Sequence, residues 1–301
     1  HRHRNRVVTL IGTRTGRVTD EFTRHLTTLA RERHPQTSPV ALQETASYLS
    51  EQFINTGLDI TTHQFKAWGQ TYDNVIGTKS AEHDADIPPL ILAAHYDTVT
   101  GSPGADDNAS ALTVLLEVAR RLRTTALARP VKFITFCLEE ENLLGSRAYT
   151  AHLRESGQAV YGAIVLECVG YASDLEGSQR TPPGIPLAVP SVGNFLALIG
   201  NQTAAPLTAA LSRAMAPAVP VVPLIVPGNG EQLPDTRRSD HTAFWEQGFA
   251  AVMVTDTANF RNPHYHRSTD TVDTLNLTFL AAVTDAVTNA VLALAAAPER
   301  P

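Results

Sequence analysis

With 301 residues, 43% hydrophobic and 18% charged, the chain has the size and composition of one large α/β domain or two small ones. A formal net charge of −6 argues against a nucleic-acid binder, which would carry a basic face. The arginine-rich start, His1-Arg2-His3-Arg4-Asn5-Arg6, is a local exception that reads as a solvated tail. No signal peptide is visible and no run reaches the roughly 18 apolar residues of a membrane span. The chain begins without Met, which suggests a removed leader or tag.

In chain order, the opening region to about Gln36 is helix-like and stops at His34-Pro35. Ser38-Pro39 has the form of an N-cap followed by proline in the first turn, and Ala41, Leu42, Ala46, Leu49, Phe53 and Ile54 recur at helical spacing up to a capping Gly57. Leu58 to Lys66 alternates as a strand and Asn74 to Thr78 is a second. Leu90 to Ala94, Val131 to Leu138, Ala163 to Leu166 and Ala250 to Thr255 are buried-strand runs. Between them lie helical patterns over Ala109 to Leu122 and Leu143 to Leu153, and a short one from Ser239, as its cap, through Trp245 to Gly248. Phe279 to Ala297 reads as an amphipathic helix. This alternation predicts a three-layer α/β/α fold around a mixed, mostly parallel sheet.

Residues 170–238 break the alternation. They are rich in Pro and Gly, with a helix expected near Ala204 to Ala216 and a strand near Val219 to Leu224. The expected organisation is an N-terminal extension over 1–36, then one catalytic domain over 37–301 with 170–238 as an elaborated, substrate-facing connection. Cys137 and Cys168 each fall in an apolar strand-like run, which suits buried free thiols; a disulfide stays open if those strands are neighbours.

The chemistry-bearing residues sit where the apolar runs end. His95-Tyr96-Asp97 follows one run, Asp106-Asp107-Asn108 opens a helix, Glu139-Glu140-Glu141 follows another run, Glu167 ends a third, and Pro263-His264-Tyr265-His266 lies far downstream. In a parallel sheet ligands gather at the carboxyl ends of the strands, so these groups can converge. Singly, His95 suits a hydrogen-bonded core histidine, the two aspartates a helix N-terminus, and the three glutamates a solvated helix start. Glu167 fits that bland reading less well, since a carboxylate ending an apolar strand needs a partner. Together, imidazole and carboxylate donors at strand ends suggest a hydrolytic pair of zinc ions.

The motifs His-x-Asp, Gly-Ala-Asp-Asp-Asn-Ala-Ser, Glu-Glu, a lone Glu before Val-Gly-Tyr, Ser-Asp-His and Tyr-His, in that order over about Leu90 to Leu275, resemble the di-zinc aminopeptidase family. That family includes secreted bacterial leucine aminopeptidases and, more distantly, glutamate carboxypeptidase and glutaminyl cyclase. The resemblance implies that Asp107 bridges two Zn2+ ions, that His95 and Glu167 complete one, and that Glu140 and His266 complete the other. It also implies a cis bond between Asp107 and Asn108, and Glu139 as general base. Counting back from Gly145-Ser146 makes Glu139 and Glu140 the family's Glu-Glu pair and leaves Glu141 outside. Many relatives have Asp where this chain has Glu167, and either type ligates zinc.

On this ligand set, three carboxylates and a metal-bridging hydroxide balance the four positive charges of two zinc ions, and the metals lower the pKa of bound water towards about 7. Glu139 would take the proton from water and pass it to the leaving amine. Tyr265 would donate to the developing oxyanion, and Asp97 would accept the remaining N–H of His95 and fix its tautomer. Asp240 is a weaker supporting candidate; His241 and His264 shape the pocket more than they bind metal. The expected activity is that of an aminopeptidase acting on a peptide with a free N-terminus, outside the cell or in the periplasm, with no nucleic-acid partner and no membrane span. Alternatives are a carboxypeptidase or amidohydrolase on the same core, a glutaminyl-cyclase-like transferase, and a non-catalytic binding domain.

Overall fold

The computed structural model describes residues 18–83 and 86–297; the arginine-rich start lies outside them. Its elements are α1 (Val18–Leu29), α2 (Pro39–Asn55), β1 (Asp59–Ala67), β2 (Gln70–Lys79), β3 (Leu90–His95), α3 (Ala111–Arg121), β4 (Val131–Phe136), α4 (Leu144–Glu155), β5 (Gly162–Glu167), β6 (Leu196–Asn201), α5 (Ala205–Met215), β7 (Val221–Val226), α6 (His241–Glu246), β8 (Ala251–Thr255) and α7 (Leu277–Ala295). All eight strands form one sheet in the order β1-β2-β4-β3-β5-β8-β6-β7. Its centre, β4-β3-β5-β8, is parallel, while β1 with β2, β2 with β4, and β6 with β8 pair antiparallel. The mixed, mostly parallel α/β/α sandwich expected from the alternation is therefore the fold.

The central strands are apolar throughout because both faces are covered. Leu90, Leu92 and Ala94 of β3 point into the larger core layer, packed by α1, α2, α3, α5 and α7. Ile91 and Ala93 point the other way, towards Tyr149 and Leu153 of α4 and Phe244 and Trp245 of α6. Phe22, Leu26 and Leu29 of α1 are buried in the larger layer.

Several local outcomes differ from the sequence reading. Ser38 occupies the N-cap of α2 with Pro39 behind it, but its hydroxyl accepts the backbone N–H of His34 at 2.7 Å instead of capping the helix. Gly57 does stand just past the helix end at φ +82°, the left-handed conformation glycine tolerates. The 170–238 connection supplies α5 and β7 as expected, and also β6, whose short run was not read as a strand. The N-cap of α6 is Asp240, one residue later than expected.

The two cysteines are free and buried. They follow β4 and β5, which β3 separates, so they lie about two strand spacings, roughly 10 Å, apart and beyond disulfide reach. The membrane expectation needs correction: by length and composition α7 could cross a bilayer, because Asp285 is the one charge in its nineteen residues. Half of it is buried, with Leu280, Val283, Val287 and Val291 in the core layer shared with α3 and α5.

Candidate metal centre

Five segments bring carboxylates and imidazoles to one point at the carboxyl ends of the parallel strands. His95 is the last residue of β3, Glu167 the last of β5, Glu139 and Glu140 lie in the turn after β4, and Asp107 lies in a π-helical turn (Ala105–Ser110) leading into α3. His266 arrives from the long segment after β8.

The two oxygens of Asp107 face different histidines. Oδ1 is 3.1 Å from His95 Nε2, and Oδ2 is 2.9 Å from His266 Nε2. On the first side, His95 Nε2 also meets Glu167 Oε2 at 3.4 Å and Glu139 Oε2 at 3.5 Å. On the second, His266 Nε2 meets Glu140 Oε1 at 3.2 Å. The expected ligands thus fall into two sets sharing Asp107, and Glu139 stands at the first set. The Asp107–Asn108 bond is cis, and the Asn108 amide donates to the carbonyl of Leu166 and accepts the N–H of Cys168, tying this turn to the end of β5.

Asp97 has a larger role than expected. His95 Nδ1 donates to the backbone carbonyl of Asp97 at 3.1 Å, while the carboxylate lies 3.4 Å away. A carbonyl only accepts, so Nδ1 carries the hydrogen and the Nε2 lone pair is aimed into the centre. The Asp97 carboxylate instead accepts the backbone N–H groups of Glu139 and Glu140, both at 3.0 Å, and so fixes the turn that presents them.

The Glu-Glu-x4-Gly-Ser spacing has a steric reason. A Cβ on Gly145 would lie 2.1 Å from the Cys137 carbonyl oxygen, so only glycine lets α4 return this close to the end of β4. Asn74 locks the approach, accepting the N–H of Cys137 and donating to the Gly145 carbonyl.

Other neighbours went unread in the sequence. Ser239, expected as a helix cap, is fully buried and donates its hydroxyl to Glu167 Oε2 at 2.5 Å. Arg33, also fully buried, donates to the carbonyls of Tyr96, Pro103 and Gly104, pinning the loops on either side of Asp97. Asp270 accepts the N–H groups of Asp106 and Asp107. No motif marks these long-range bonds to backbone.

Residues set aside by the sequence reading are accounted for elsewhere. Glu141 pairs with His34 at 3.3 Å, His264 bonds Thr269, and His241 donates through Nε2 to the Thr236 carbonyl and packs edge-on against Trp245. Asp106 accepts from Gly170 and Asn262. Asp240 is buried beside the centre, and burial pushes its carboxyl up to about 7.

The donor set fits divalent cations. His95 Nε2 and both oxygens of Asp107 are buried without hydrogen-bond partners, and four carboxylates crowd two imidazoles. Burial, reinforced by neighbouring acids, pushes Glu139 well above the usual carboxylate range and Glu140 up to about 8. His266, which burial alone would pull down, is raised to about 10 by Asp107 and Glu140. Lone pairs facing one another at these distances require a proton or a cation between them. Imidazole nitrogen with carboxylate oxygen is a zinc donor set.

Beside the first set opens an apolar pocket. Ile185, Leu187, Val189, Phe195, Leu224 and Met253 line it, and Glu167, Arg238 and Tyr265 stand at its rim. The wall from 171 to 195 is held by the buried Arg261, which donates to Gln179 Oε1 at 2.8 Å and to the carbonyls of Phe195 and Tyr171. Most of the pocket's lining comes from the 170–238 connection, and Glu167, Met253, Thr255, residues 257–260 and Tyr265 complete it.

The family described as peptidase family M28 matches residues 74–291. The uncharacterized protein YfbL of Escherichia coli (strain K12) is 32% identical over 262 residues, covering 82% of this chain and 78% of the relative. Aminopeptidase YwaD of Bacillus subtilis (strain 168) is 42% identical over 95 residues, 31% of this chain and 21% of the relative. Among solved structures, BSAP, a zinc aminopeptidase from Bacillus subtilis, superposes with a TM-score of 0.73 at 17% identity, covering 94% of this chain and 96% of that one.

Proposed function

The chain belongs to peptidase family M28, a family of metallopeptidases, and from that premise we propose that it is a zinc-dependent aminopeptidase that releases apolar N-terminal residues from peptides. The observation that carries this reading is Asp107, whose two oxygens each face a different histidine with its own carboxylate, as a carboxylate shared by two ions would. In this reading His95, Glu167 and Asp107 hold one Zn2+, and Glu140, His266 and Asp107 hold the other. The metals, when bound, acidify water and polarise the scissile carbonyl.

The chain's own residues do the rest. The apolar side chain of the substrate's first residue fills the pocket, and its free α-amine lies against Glu139 and Glu167. Glu139 takes a proton from water as the water oxygen bonds to the carbonyl carbon, then delivers it to the nitrogen as the C–N bond breaks. A carboxylate and a new N-terminal ammonium result once the second proton of the water has also passed to the amine. Its burial suits Glu139 to hold that proton between the two steps. Tyr265 donates to the carbonyl oxygen as negative charge builds there. Asp97 keeps the backbone of Glu139 and Glu140 in place. Residues 37–301 act as one catalytic unit, with 170–238 as its substrate wall.

The test is metal analysis paired with a panel of aminoacyl-nitroanilides, free or blocked at the amine. Two zinc ions per chain, loss of activity on chelation, and cleavage of leucyl but not acetyl-leucyl substrates are expected. Equal cleavage of the blocked substrates would sink the aminopeptidase reading while leaving the metal site intact.

A further inference from the structure

Arg238 and Ser239 are consecutive, and each reaches a different group at the centre. Ser239 donates to Glu167, whereas Arg238 Nη2 donates to the phenol oxygen of Tyr265 at 3.0 Å. The guanidinium is itself held in place. Nη2 also donates to Asn259 Oδ1 at 2.9 Å, Nη1 donates to Asp235 Oδ1 at 3.2 Å, and its carbon lies 5.4 Å from the centre of the Tyr265 ring. The far side of the Tyr265 arrangement is fixed as well, because its ring stacks on His266 at 3.8 Å and an interplanar angle of 15°.

This geometry settles the direction of one hydrogen. A guanidinium has only donors, so a phenol oxygen that accepts from it must aim its own O–H elsewhere. The ring is clamped flat against His266, which leaves the rim of the apolar pocket beside Glu167 as the open side. Accepting from a cation also polarises the O–H bond and strengthens it as a donor.

We propose that Arg238 is a positioning residue for catalysis, orienting and polarising the Tyr265 hydroxyl towards the carbonyl oxygen of the scissile bond. The proposal rests on the reading of Tyr265 as donor to that oxygen. The competing view makes Arg238 a rim ion pair with Asp235, and such exposed pairs contribute little.

Kinetics of zinc-loaded R238M, R238K, Y265F and R238M/Y265F on leucyl-nitroanilide separate the two, together with zinc content, melting temperature and affinity for a leucine-derived boronic acid, which mimics the tetrahedral oxyanion. Y265F should lower kcat by about 10²-fold, the scale of one lost oxyanion donor. R238M should lower kcat by about tenfold with KM nearly unchanged, and should add less than about twofold in the Y265F background, since coupled residues are non-additive. Boronate affinity should follow kcat, and R238K should recover part of the loss. An unchanged kcat in R238M, or fully additive losses, would overturn the proposal while leaving the Tyr265 role standing. A normal kcat in Y265F would overturn both. If R238M loses zinc or unfolds, N259A decides: a fall in kcat that vanishes in the Y265F background supports the proposal, and no fall overturns it.

Discussion

The two sides of the cleft are built by different means. On the metal side, the turns that present the carboxylates are held by hydrogen bonds to backbone: Asp97 to two N–H groups, Arg33 to three carbonyls across Asp97, Asp270 to the turn of Asp107. On the pocket side, shape comes from apolar packing, with the buried Arg261 as a polar staple across the wall. Directional bonds fix atoms to within tenths of an ångström, as proton transfer demands. Packing fixes only a volume, which is enough to choose a side chain.

This contrast predicts that damage to one side leaves the other's property intact. The largest effect is expected at Glu139. Glu139→Gln should retain zinc and KM yet lose about 10²–10⁴-fold in kcat, the range for a lost general base. A near-normal rate would sink the mechanism. On the other side, Ala197→Phe puts a ring into the pocket from β6. It should cut kcat/KM for leucyl relative to alanyl substrates by about 10–100-fold, the worth of one or two displaced methylenes, with zinc content unchanged. A uniform loss on both substrates would show that the pocket does not receive the N-terminal side chain.

Arg261 joins the two descriptions, since it is a polar group whose job is to hold an apolar wall. Arg261→Met strips the Phe195 and Tyr171 carbonyls and Gln179 of their donor. Each buried acceptor left bare costs about 1–3 kcal/mol, so thermal denaturation should show a clear drop in stability. Selectivity between leucyl and alanyl substrates should blur while kcat on the better substrate falls less. If stability falls and selectivity holds, the wall keeps its shape without the staple.

The same contrast explains what could be read from sequence. His95 and Glu167 were legible because a polar side chain directly ends an apolar strand, a placement that solvation does not explain. The pair Glu139-Glu140 was legible only through its distance from Gly145, which steric closeness to Cys137 enforces. Asp97 was half legible: its position beside His95 was informative, but its carboxylate serves backbone N–H groups, which leave no side-chain signature. Ser239 was misassigned to a helix end because a serine before Asp-His has the form of a cap, whereas its partner Glu167 is 72 residues away. Arg33 and Arg261 bond across similar gaps and Arg238 across shorter ones, and isolated arginines carry no pattern. The strand β6 was missed because its six residues sit between Pro- and Gly-rich segments and end in no chemical motif. The pocket, a product of packing among segments from Glu167 to Tyr265, could be placed in the chain but not shaped.

The smallest expected effect concerns His241, which lies behind the pocket and holds the Thr236 carbonyl at its rim. Burial pulls this imidazole down to about 4 from its ordinary 6.5, with the Thr236 carbonyl opposing. The folded chain therefore refuses a proton that the unfolded chain accepts below pH 6.5. The resulting stability is present above that pH and is lost as pH falls towards 4. Between pH 7 and pH 5 the loss attributable to His241 is about 2 kcal/mol, from one and a half pKa units at about 1.4 kcal/mol each. His25, in α1 and remote from the pocket rim, is also held near 4 by burial and should contribute a similar slope. Urea unfolding of His241→Gln and His25→Gln beside the parent at both pH values isolates each term, because proton uptake at the metal ligands cancels in the difference. Protonation of His241 should disturb the wall at Thr236 and raise the parent's KM for leucyl substrates on acidification; both variants should shed about 2 kcal/mol of the acid loss, but only the His241 variant should also lose that rise. Equal behaviour of the two variants in KM would mean that the histidine behind the pocket stabilises the scaffold alone and that the wall's shape is set independently of it.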